Sequence, residues 1–356
     1  MEPMRMNVFE LLATHGHEQV VFWSEPEIGY RGIIAIHDTT LGPALGGTRF
    51  WNYGSDQEAV DDVLRLSQGM TYKAAIAGVN LGGGKSVIIG DNRTRDREMI
   101  FRAHGRAVES LGGRYITAED VGTSVDDMDF VRMETDSVVG LHSGSGDPSP
   151  VTAYGTFQGI RACAERHYGD ASLEGRHVTV QGLGNVGYHL CAFLAEEGAR
   201  LTVTDIDRDR IARVQEDFGA DAVAIDEIYA VEANIFSPCA LGAVVNDDTL
   251  KVLKVDIVAG AANNQLGQPR HGEILHERGI LYAPDYVINA GGLINVYGEL
   301  HAWAPDRSKR KAGEIFGTLL RIFELADRDG IPTAQAADRV ATQRIERTRH
   351  LHRSYV

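Results

Sequence analysis

The chain has 356 residues, 43% hydrophobic and 24% charged, the mix of a globular protein long enough for two hydrophobic cores. A formal net charge of −15 argues against nucleic acid and anionic membrane as partners, because such surfaces attract basic proteins. No stretch is apolar for long enough to span a bilayer, and residues 1–6 run into an amphipathic segment without a secretory core, so a cytoplasmic location is expected.

Residues 18–24 and 31–37, rich in Val, Ile and aromatics, read as strands. Residues 55–68 have helical spacing, opened by Ser55 and early acids. Residues 81–89 read as a strand interrupted by three glycines, residues 97–111 as an amphipathic helix, and 115–117 with 125–134 complete the block. Ser143-Gly-Ser-Gly-Asp-Pro-Ser-Pro150 is dense in turn residues and marks a domain boundary. The expected domains are 1–142 and 143–332, with a terminal helix over 333–356.

The second block alternates strand and helix: strand 177–181, helix 187–197, strand 200–205, helix 208–218, then short strands at 234–237 and 256–261. Strands apolar throughout and separated by helices indicate a parallel sheet covered on both faces. Residues 306–329 and 333–349 are expected as terminal helices. Cys163, Cys191 and Cys239 lie far apart in apolar contexts and read as reduced, buried thiols. His271 and His276, five apart, make no ligand pair. No metal is expected.

Between strand 177–181 and its helix lies Gly182-Leu-Gly184-Asn185-Val186-Gly187. A lone GxGxxG is weak, but here a strand precedes it, a helix follows, and Asp205 ends the next strand. Gly182 permits a tight turn, Gly184 admits a pyrophosphate to the backbone, and Gly187 lets helix and strand close together. A carboxylate at Asp205 accepts from ribose hydroxyls and repels a 2′-phosphate, favouring NAD over NADP.

The preceding half holds Lys73, Gly82-Gly83-Gly84-Lys85 and Asp120. A phosphate-binding loop needs a glycine where Val79 stands, so the triple glycine is not one. Oxidation of an amino acid by NAD, followed by hydrolysis of the imine, needs a cation for the substrate carboxylate, a base for water and a carboxylate for the amine. Two lysines and an aspartate supply these. Two lysines in a glycine-lined cleft are expected to lower each other's pKa, letting one act as a base. Surface lysines beside a cofactor domain without this chemistry are the alternative.

Thr39-Thr-Leu-Gly-Pro-Ala-Leu-Gly-Gly-Thr-Arg49, Gly69-Met-Thr-Tyr-Lys73, Gly82-Gly-Gly-Lys85, Thr117-Ala-Glu-Asp-Val-Gly122, Pro150-Val-Thr-Ala-Tyr-Gly155, Pro238-Cys-Ala-Leu241, Gly260-Ala-Ala-Asn-Asn-Gln265 and Pro284-Asp-Tyr-Val-Ile-Asn-Ala-Gly-Gly292 follow in order. In these motifs the chain resembles the leucine dehydrogenases of the glutamate/leucine/phenylalanine/valine dehydrogenase superfamily, from about Glu18 into the final helix. The resemblance implies an α/β fold of two domains, an N-terminal mixed-sheet domain and a Rossmann-type NAD-binding domain with a cleft between them. It also implies a carboxyl-terminal helix returning to the first domain and homo-oligomers from dimer to octamer.

By the same resemblance Lys85 is the base that activates water, Lys73 holds the substrate carboxylate, and Asp120 exchanges protons with the amine. Asn289 holds that carboxylate or nearby backbone. Thr152 and Asn263 fall at the nicotinamide end of the cofactor, with Cys239 and Ala240 also on the cofactor. Leu45, Gly46, Met70, Ala118, Leu293 and Val296 line the side-chain pocket. Glutamate enzymes carry a lysine where Leu45 stands, and leucine there leaves a second substrate carboxylate unpaired, at a cost of several kcal/mol. The implied activity is reversible oxidative deamination of leucine or another branched-chain amino acid to its 2-oxo acid. Leu293-Ile-Asn-Val-Tyr297 and the short segment 141–147 keep an aromatic substrate open, as in phenylalanine and tryptophan enzymes. An NAD-binding regulator without catalysis is the third possibility, disfavoured by Lys73, Lys85 and Asp120 together.

Overall fold

The computed structural model describes residues 8–142 and 147–353; residues 143–146 of the expected boundary segment lie outside them. The chain divides into two compact units, Met1–Gly146 with Thr342–Val356, and Asp147–Ala341.

The first unit runs α1 (Val8–His15), β1 (Gln19–Glu25), β2 (Tyr30–Asp38), β3 (Ala44–Trp51), α2 (Asp56–Ile76), β4 (Gly82–Ile89), α3 (Arg97–Glu109), β5 (Tyr115–Glu119) and α4 (Val125–Arg132). Its sheet has the order β1-β2-β4-β3-β5 and is mixed: β1–β2 and β2–β4 are antiparallel, whereas β3 is parallel to β4 and β5. Ile33, Ala35 and Val87 bury against Ala59, Val60, Val63 and Leu64 of α2. Tyr30, Phe50 and Ile88 bury against Phe101 of α3 and Met128 of α4. The sheet therefore lies between α2 on one face and α3 with α4 on the other.

Two features differ from the sequence expectation. Strand β3 was not foreseen, because Gly46 and Gly47 weaken a strand. Both positions face backbone that leaves no room for a side chain: a Cβ on Gly46 would overlap the Gly84 carbonyl, and one on Gly47 would lie 2.5 Å from the Glu119 carbonyl oxygen. Helix α2 also runs on past residue 68 through Gly69 to Ile76, which places Met70 and Lys73 on it. The Ser55 hydroxyl accepts from the Glu58 amide at 3.2 Å and caps its start, as the early Ser suggested.

The second unit opens with α5 (Ser149–Tyr168), another unforeseen element. Its start falls in the turn-dense segment, but Pro150 occupies the first helical turn, where a missing N–H costs nothing. There follow β6 (His177–Gln181), α6 (Asn185–Glu196), β7 (Arg200–Thr204), α7 (Arg208–Phe218), β8 (Asp221–Ala222), β9 (Ile235–Pro238), α8 (Thr249–Val252), β10 (Ile257–Val258), α9 (Arg270–Glu277), β11 (Leu281–Tyr282), α10 (Asp285–Ile288), α11 (Gly291–Leu300), α12 (Pro305–Gly313) and α13 (Ile315–Asp329). The single helix expected over 306–329 is thus two, divided at Glu314. Helix α14 (Thr333–Arg353) begins in this unit and ends in the first.

The second sheet is parallel throughout, in the order β11-β10-β9-β6-β7-β8. Its strand order reverses between β6 and β9, and the crevice beyond the carboxyl ends of those two strands is where such sheets bind ligands. Among the described residues no helix is long and apolar enough to cross a membrane.

Candidate active site

In the first unit the triple glycine is a packing device. A Cβ on Gly83 would overlap the Thr71 amide of α2, one on Gly82 the Asp38 carbonyl, and one on Gly84 would come within 2.6 Å of the Tyr115 ring. The missing side chains let α2 and the Tyr115 ring of β5 close on β4. Residues alternate across a strand, so Lys85 shares the α2 face with Gly83, while Ser86 points to the other face.

The Lys85 side chain is 6% exposed, and its Nζ lies 3.0 Å from Asp120 Oδ2. Asp120 follows β5 and reaches the lysine past Gly47, where a Cβ would stand 2.9 Å from the Asp120 Cβ. Arg49 Nε donates to the same Oδ2 at 3.1 Å, and Arg49 Nη1 to Asp62 Oδ2 at 2.8 Å. The Tyr53 hydroxyl also donates to Asp62 Oδ2, at 2.8 Å. Arg49, Tyr53 and Asp62 were not singled out in the sequence; the Thr-Arg49 that closes the first family motif was the available signal.

Burial is the largest influence on Lys85 and pulls its pKa below the usual lysine value; Arg49 acts in the same direction, against the opposing Asp120 and Asp62 charges. Arg49 is thus a cation acting on Lys85 that the sequence expectation, built on Lys73, did not include. Burial pushes the Asp120 carboxyl up, but Lys85 and Arg49 outweigh it and hold the group below its ordinary value.

Behind the strand, Ser86 joins a buried polar cluster. Thr48 Oγ1 meets Ser86 Oγ at 2.8 Å, His104 Nε2 at 2.9 Å and Thr117 Oγ1 at 2.6 Å, and Tyr30 meets His104 Nδ1 at 2.9 Å. Tyr115 donates to the Gly46 carbonyl at 2.6 Å. Burial lowers the His104 pKa to about 3, so this cluster is uncharged at neutral pH and fixes β3, β4 and β5 side by side.

Of the expected pocket residues, Leu45 is buried and pairs in register with Gly83, on the α2 face with Lys85. Gly46 points its vacant position at the Gly84 carbonyl, so it is occupied by sheet packing. Met70, Lys73 and Ala118 are half-buried. Leu293 and Val296 lie on α11 of the second unit, the first buried and the second half-buried.

In the second unit the glycine loop joins β6 to α6 at the point of strand reversal. Gly182 has a φ of 97° and a Cβ there would approach Ala240 Cβ to 2.6 Å; a Cβ on Gly187 would overlap the Gly182 carbonyl. Gly184, which caps α6, is open on its outer side, with Arg210 Nη1 at 3.7 Å as its near neighbour. Asn185 and Val186 form the first turn of α6, whose start carries no side-chain cap. Free amide donors at an open helix start suit a pyrophosphate, so these residues fit a bound dinucleotide.

The Asp205 carboxylate accepts from the Leu183 amide at 2.5 Å and from the Asp207 amide at 2.9 Å. Besides any contact with ribose, it therefore ties the glycine loop to β7. Cys239 and Ala240 follow β9 beside the loop, and Cys239 N donates to the Gln181 carbonyl at 2.7 Å. Asn289 Nδ2 donates to Asn263 Oδ1 at 2.7 Å and to the Ala261 carbonyl at 3.1 Å. Asn289 Oδ1 is buried with no hydrogen-bond partner among the described residues, an acceptor left for a bound molecule. Thr152 Oγ1 donates to the Pro148 carbonyl at 3.0 Å, in the first turn of α5. Asp126, Asp129 and His142 gather outside this region on the exposed surface, where His142 Nε2 meets Asp126 at 2.8 Å.

The family model described as Glu/Leu/Phe/Val dehydrogenase, dimerisation domain, matches residues 17–137. That described as Glutamate/Leucine/Phenylalanine/Valine dehydrogenase matches residues 143–209 and 202–351. The leucine dehydrogenase of Geobacillus stearothermophilus is 56% identical over 347 residues, 97% of this chain and 95% of the relative. The phenylalanine dehydrogenase of Bacillus thermotolerans is 49% identical over 92% of this chain and 88% of its own. The crystal structure of L-tryptophan dehydrogenase from Nostoc punctiforme superposes with a TM-score of 0.88 at 46% identity, covering 96% of this chain and 99% of that one.

Proposed function

Because the chain belongs to the glutamate/leucine/phenylalanine/valine dehydrogenase family, we propose that it catalyses the reversible oxidative deamination of leucine and related branched-chain amino acids to 2-oxo acids and ammonia, with NAD. The observation that carries this reading is the Lys85–Asp120 pair, a nearly buried lysine 3.0 Å from a carboxylate. The leucine enzymes among its relatives are 53–56% identical, against 50% for the valine, 49% for the phenylalanine and 47% for the tryptophan enzyme, which favours leucine.

In this reading the Lys73 ammonium binds the substrate carboxylate, with Asn289 as a further partner for it or for nearby backbone. Leu45, Met70 and Ala118 of the first unit, and Leu293 and Val296 of the second, are the residues read as selecting an aliphatic side chain, and Leu45 offers no cation for a second carboxylate, which disfavours glutamate. A bound nicotinamide supplies the hydride acceptor for the α-carbon. Neutral Lys85 takes a proton from the water that attacks the substrate imine, and burial lowers its pKa toward that role. Asp120 shuttles a proton to and from the departing amine. Gly182, Gly184 and the first turn of α6 at Asn185 and Val186 would hold the pyrophosphate, with Gly187 letting helix and strand close, and Asp205 would hold the adenosine ribose. Thr152 and Asn263 would contact the nicotinamide half, and Cys239 and Ala240 the cofactor beside the glycine loop. Homo-oligomerisation through the first unit accords with the description of the family model that matches it.

The test is a panel of L-amino acids with NAD or NADP at alkaline pH, read as reduced-cofactor absorbance. Leucine, isoleucine and valine with NAD should give the highest kcat/KM. Preference for phenylalanine or tryptophan would transfer the assignment to an aromatic substrate, and no turnover with any apolar amino acid would overturn it.

A further inference from the structure

The Arg49 guanidinium bridges two carboxylates from different elements. It projects from β3, donating through Nε to Asp120 Oδ2 at 3.1 Å and through Nη1 to Asp62 Oδ2 on α2 at 2.8 Å. Asp62 is itself held: its Oδ2 accepts the Tyr53 hydroxyl at 2.8 Å and its Oδ1 accepts from Arg65 Nη2 at 2.8 Å. The side chains of Arg49 and Asp62 are only 21% and 14% exposed, whereas Arg65 is 57% exposed and largely screened by solvent. The charged and titratable groups with contacts here include Lys85 from β4, Asp120 after β5, Arg49 and Tyr53 from β3 and the segment after it, and Asp62 with Arg65 from α2, the helix that also carries Lys73.

Lys85 and Arg49 meet the same oxygen of Asp120, and they are not equivalent. A lysine paired alone with a buried carboxylate gains by keeping its proton, since losing it strands the anion. A guanidinium does not lose its proton in proteins. With Arg49 in place, Asp120 remains compensated after Lys85 becomes neutral.

We propose that Arg49, oriented by Asp62 and Tyr53, is a positioning residue that holds Asp120 as a carboxylate against Lys85 and lets Lys85 exist without its proton. The proposal rests on the reading of Lys85 and Asp120 as the catalytic pair. Burial first and Arg49 second pull the Lys85 pKa down, while Asp120 and Asp62 push it up. Removing the Arg49 charge and removing the Asp62 charge should therefore move the ionisation of Lys85 in opposite directions, which a merely structural role would not do.

The experiment measures kcat/KM for leucine deamination against pH in the full-length enzyme and in Arg49→Gln, Arg49→Lys, Asp62→Asn and Lys85→Ala, with thermal melts to establish folding. Arg49→Gln should move the alkaline rise to higher pH by roughly half a unit or more. Arg49→Lys keeps the charge without the fork that spans both carboxylates, so its rise should stay near the wild-type position while kcat falls. Asp62→Asn should move the rise to lower pH. A folded Arg49→Gln whose rise is unmoved overturns the proposal, as does an Arg49→Lys that shifts as far as Arg49→Gln. Should Arg49→Gln fail to fold, Asp62→Asn decides: a downward shift supports the proposal and an unmoved rise overturns it. Lys85→Ala separates the two levels. If it remains active, the catalytic pair is misassigned and the proposal falls with it; if it is inactive and the rise in Arg49→Gln is unmoved, the proposal alone fails.

Discussion

One added methyl group at Gly47 should disable the enzyme without unfolding it. The new Cβ of Gly47→Ala would stand 2.5 Å from the Glu119 carbonyl oxygen and 2.9 Å from the Asp120 Cβ. Ordinary contact begins near 3.4 Å, so the Glu119–Asp120 backbone must retreat by about half an ångström to one ångström. Overpacking of this size costs ~1–3 kcal/mol, which a folded domain of about 5–15 kcal/mol survives. The Asp120 carboxylate, 3.0 Å from Lys85 Nζ, moves with that backbone. A displacement of about 1 Å at a reacting group costs on the order of 100-fold in rate. The assay is kcat for leucine deamination beside a thermal melt and a titration of NAD binding. The expected result is a fall in kcat of about 10- to 100-fold, a modestly lowered Tm and unchanged NAD affinity. A variant within twofold of wild-type kcat would refute the argument that Gly47 opens the path between Asp120 and Lys85.

Lys85→Ala should abolish turnover while leaving NAD binding intact, and more than about a tenth of wild-type kcat, a change under ~1.4 kcal/mol, would exclude Lys85 as the base. The wild-type deamination rate should rise with pH as Lys85 loses its proton, with a midpoint below the ordinary lysine value of about 10.4, because burial and Arg49 lower it. Asp205→Ser should reduce the NAD/NADP ratio of kcat/KM and also weaken binding of both, since the carboxylate anchors the Leu183 amide; an unchanged ratio would remove the ribose assignment. Leu45→Lys should raise activity toward glutamate at the expense of leucine, and a variant keeping its leucine preference would show that the pocket is mapped wrongly.

The architecture was legible wherever periodicity and punctuation agreed. The strand at His177–Gln181 and the helix at Arg208–Phe218 coincide with their expected limits, and the apolar alternation marked a parallel sheet. Elements built on close approach were not legible. Strand β3 and helix α5 carry glycines because neighbours occupy the Cβ positions: Gly84 and Glu119 carbonyls face β3, while Ile288 and Ile315 face Gly159 and Gly155 of α5. A single sequence does not say which glycine is a turn and which is a contact. The same limit applies to the site. Lys85, Asp120 and Arg49 stood in motifs, but the role of Arg49 with Tyr53 and Asp62 rests on a salt-bridge network that joins β3 to α2, a proximity only the folded sheet creates. The triple glycine, read against a phosphate loop by spacing alone, turns out to be the seat of α2.

Helix α14 returns across the unit boundary, and its Arg344 donates from Nη1 to the carbonyls of Ala74, Ala75 and Val79 at 2.8–3.1 Å and from Nη2 to Asn80 Oδ1 at 3.0 Å. Those acceptors are the end of α2, the helix that carries Lys73, and the turn into β4. On the ribosome they emerge well before their donor, with all of Asp147–Ala341 synthesised in between. Until then the Ala74 and Ala75 carbonyls have the amides of Val79 and Gly78, and the Val79 carbonyl and Asn80 side chain lack the guanidinium. The first unit, although begun first, is therefore completed only after the second has been synthesised.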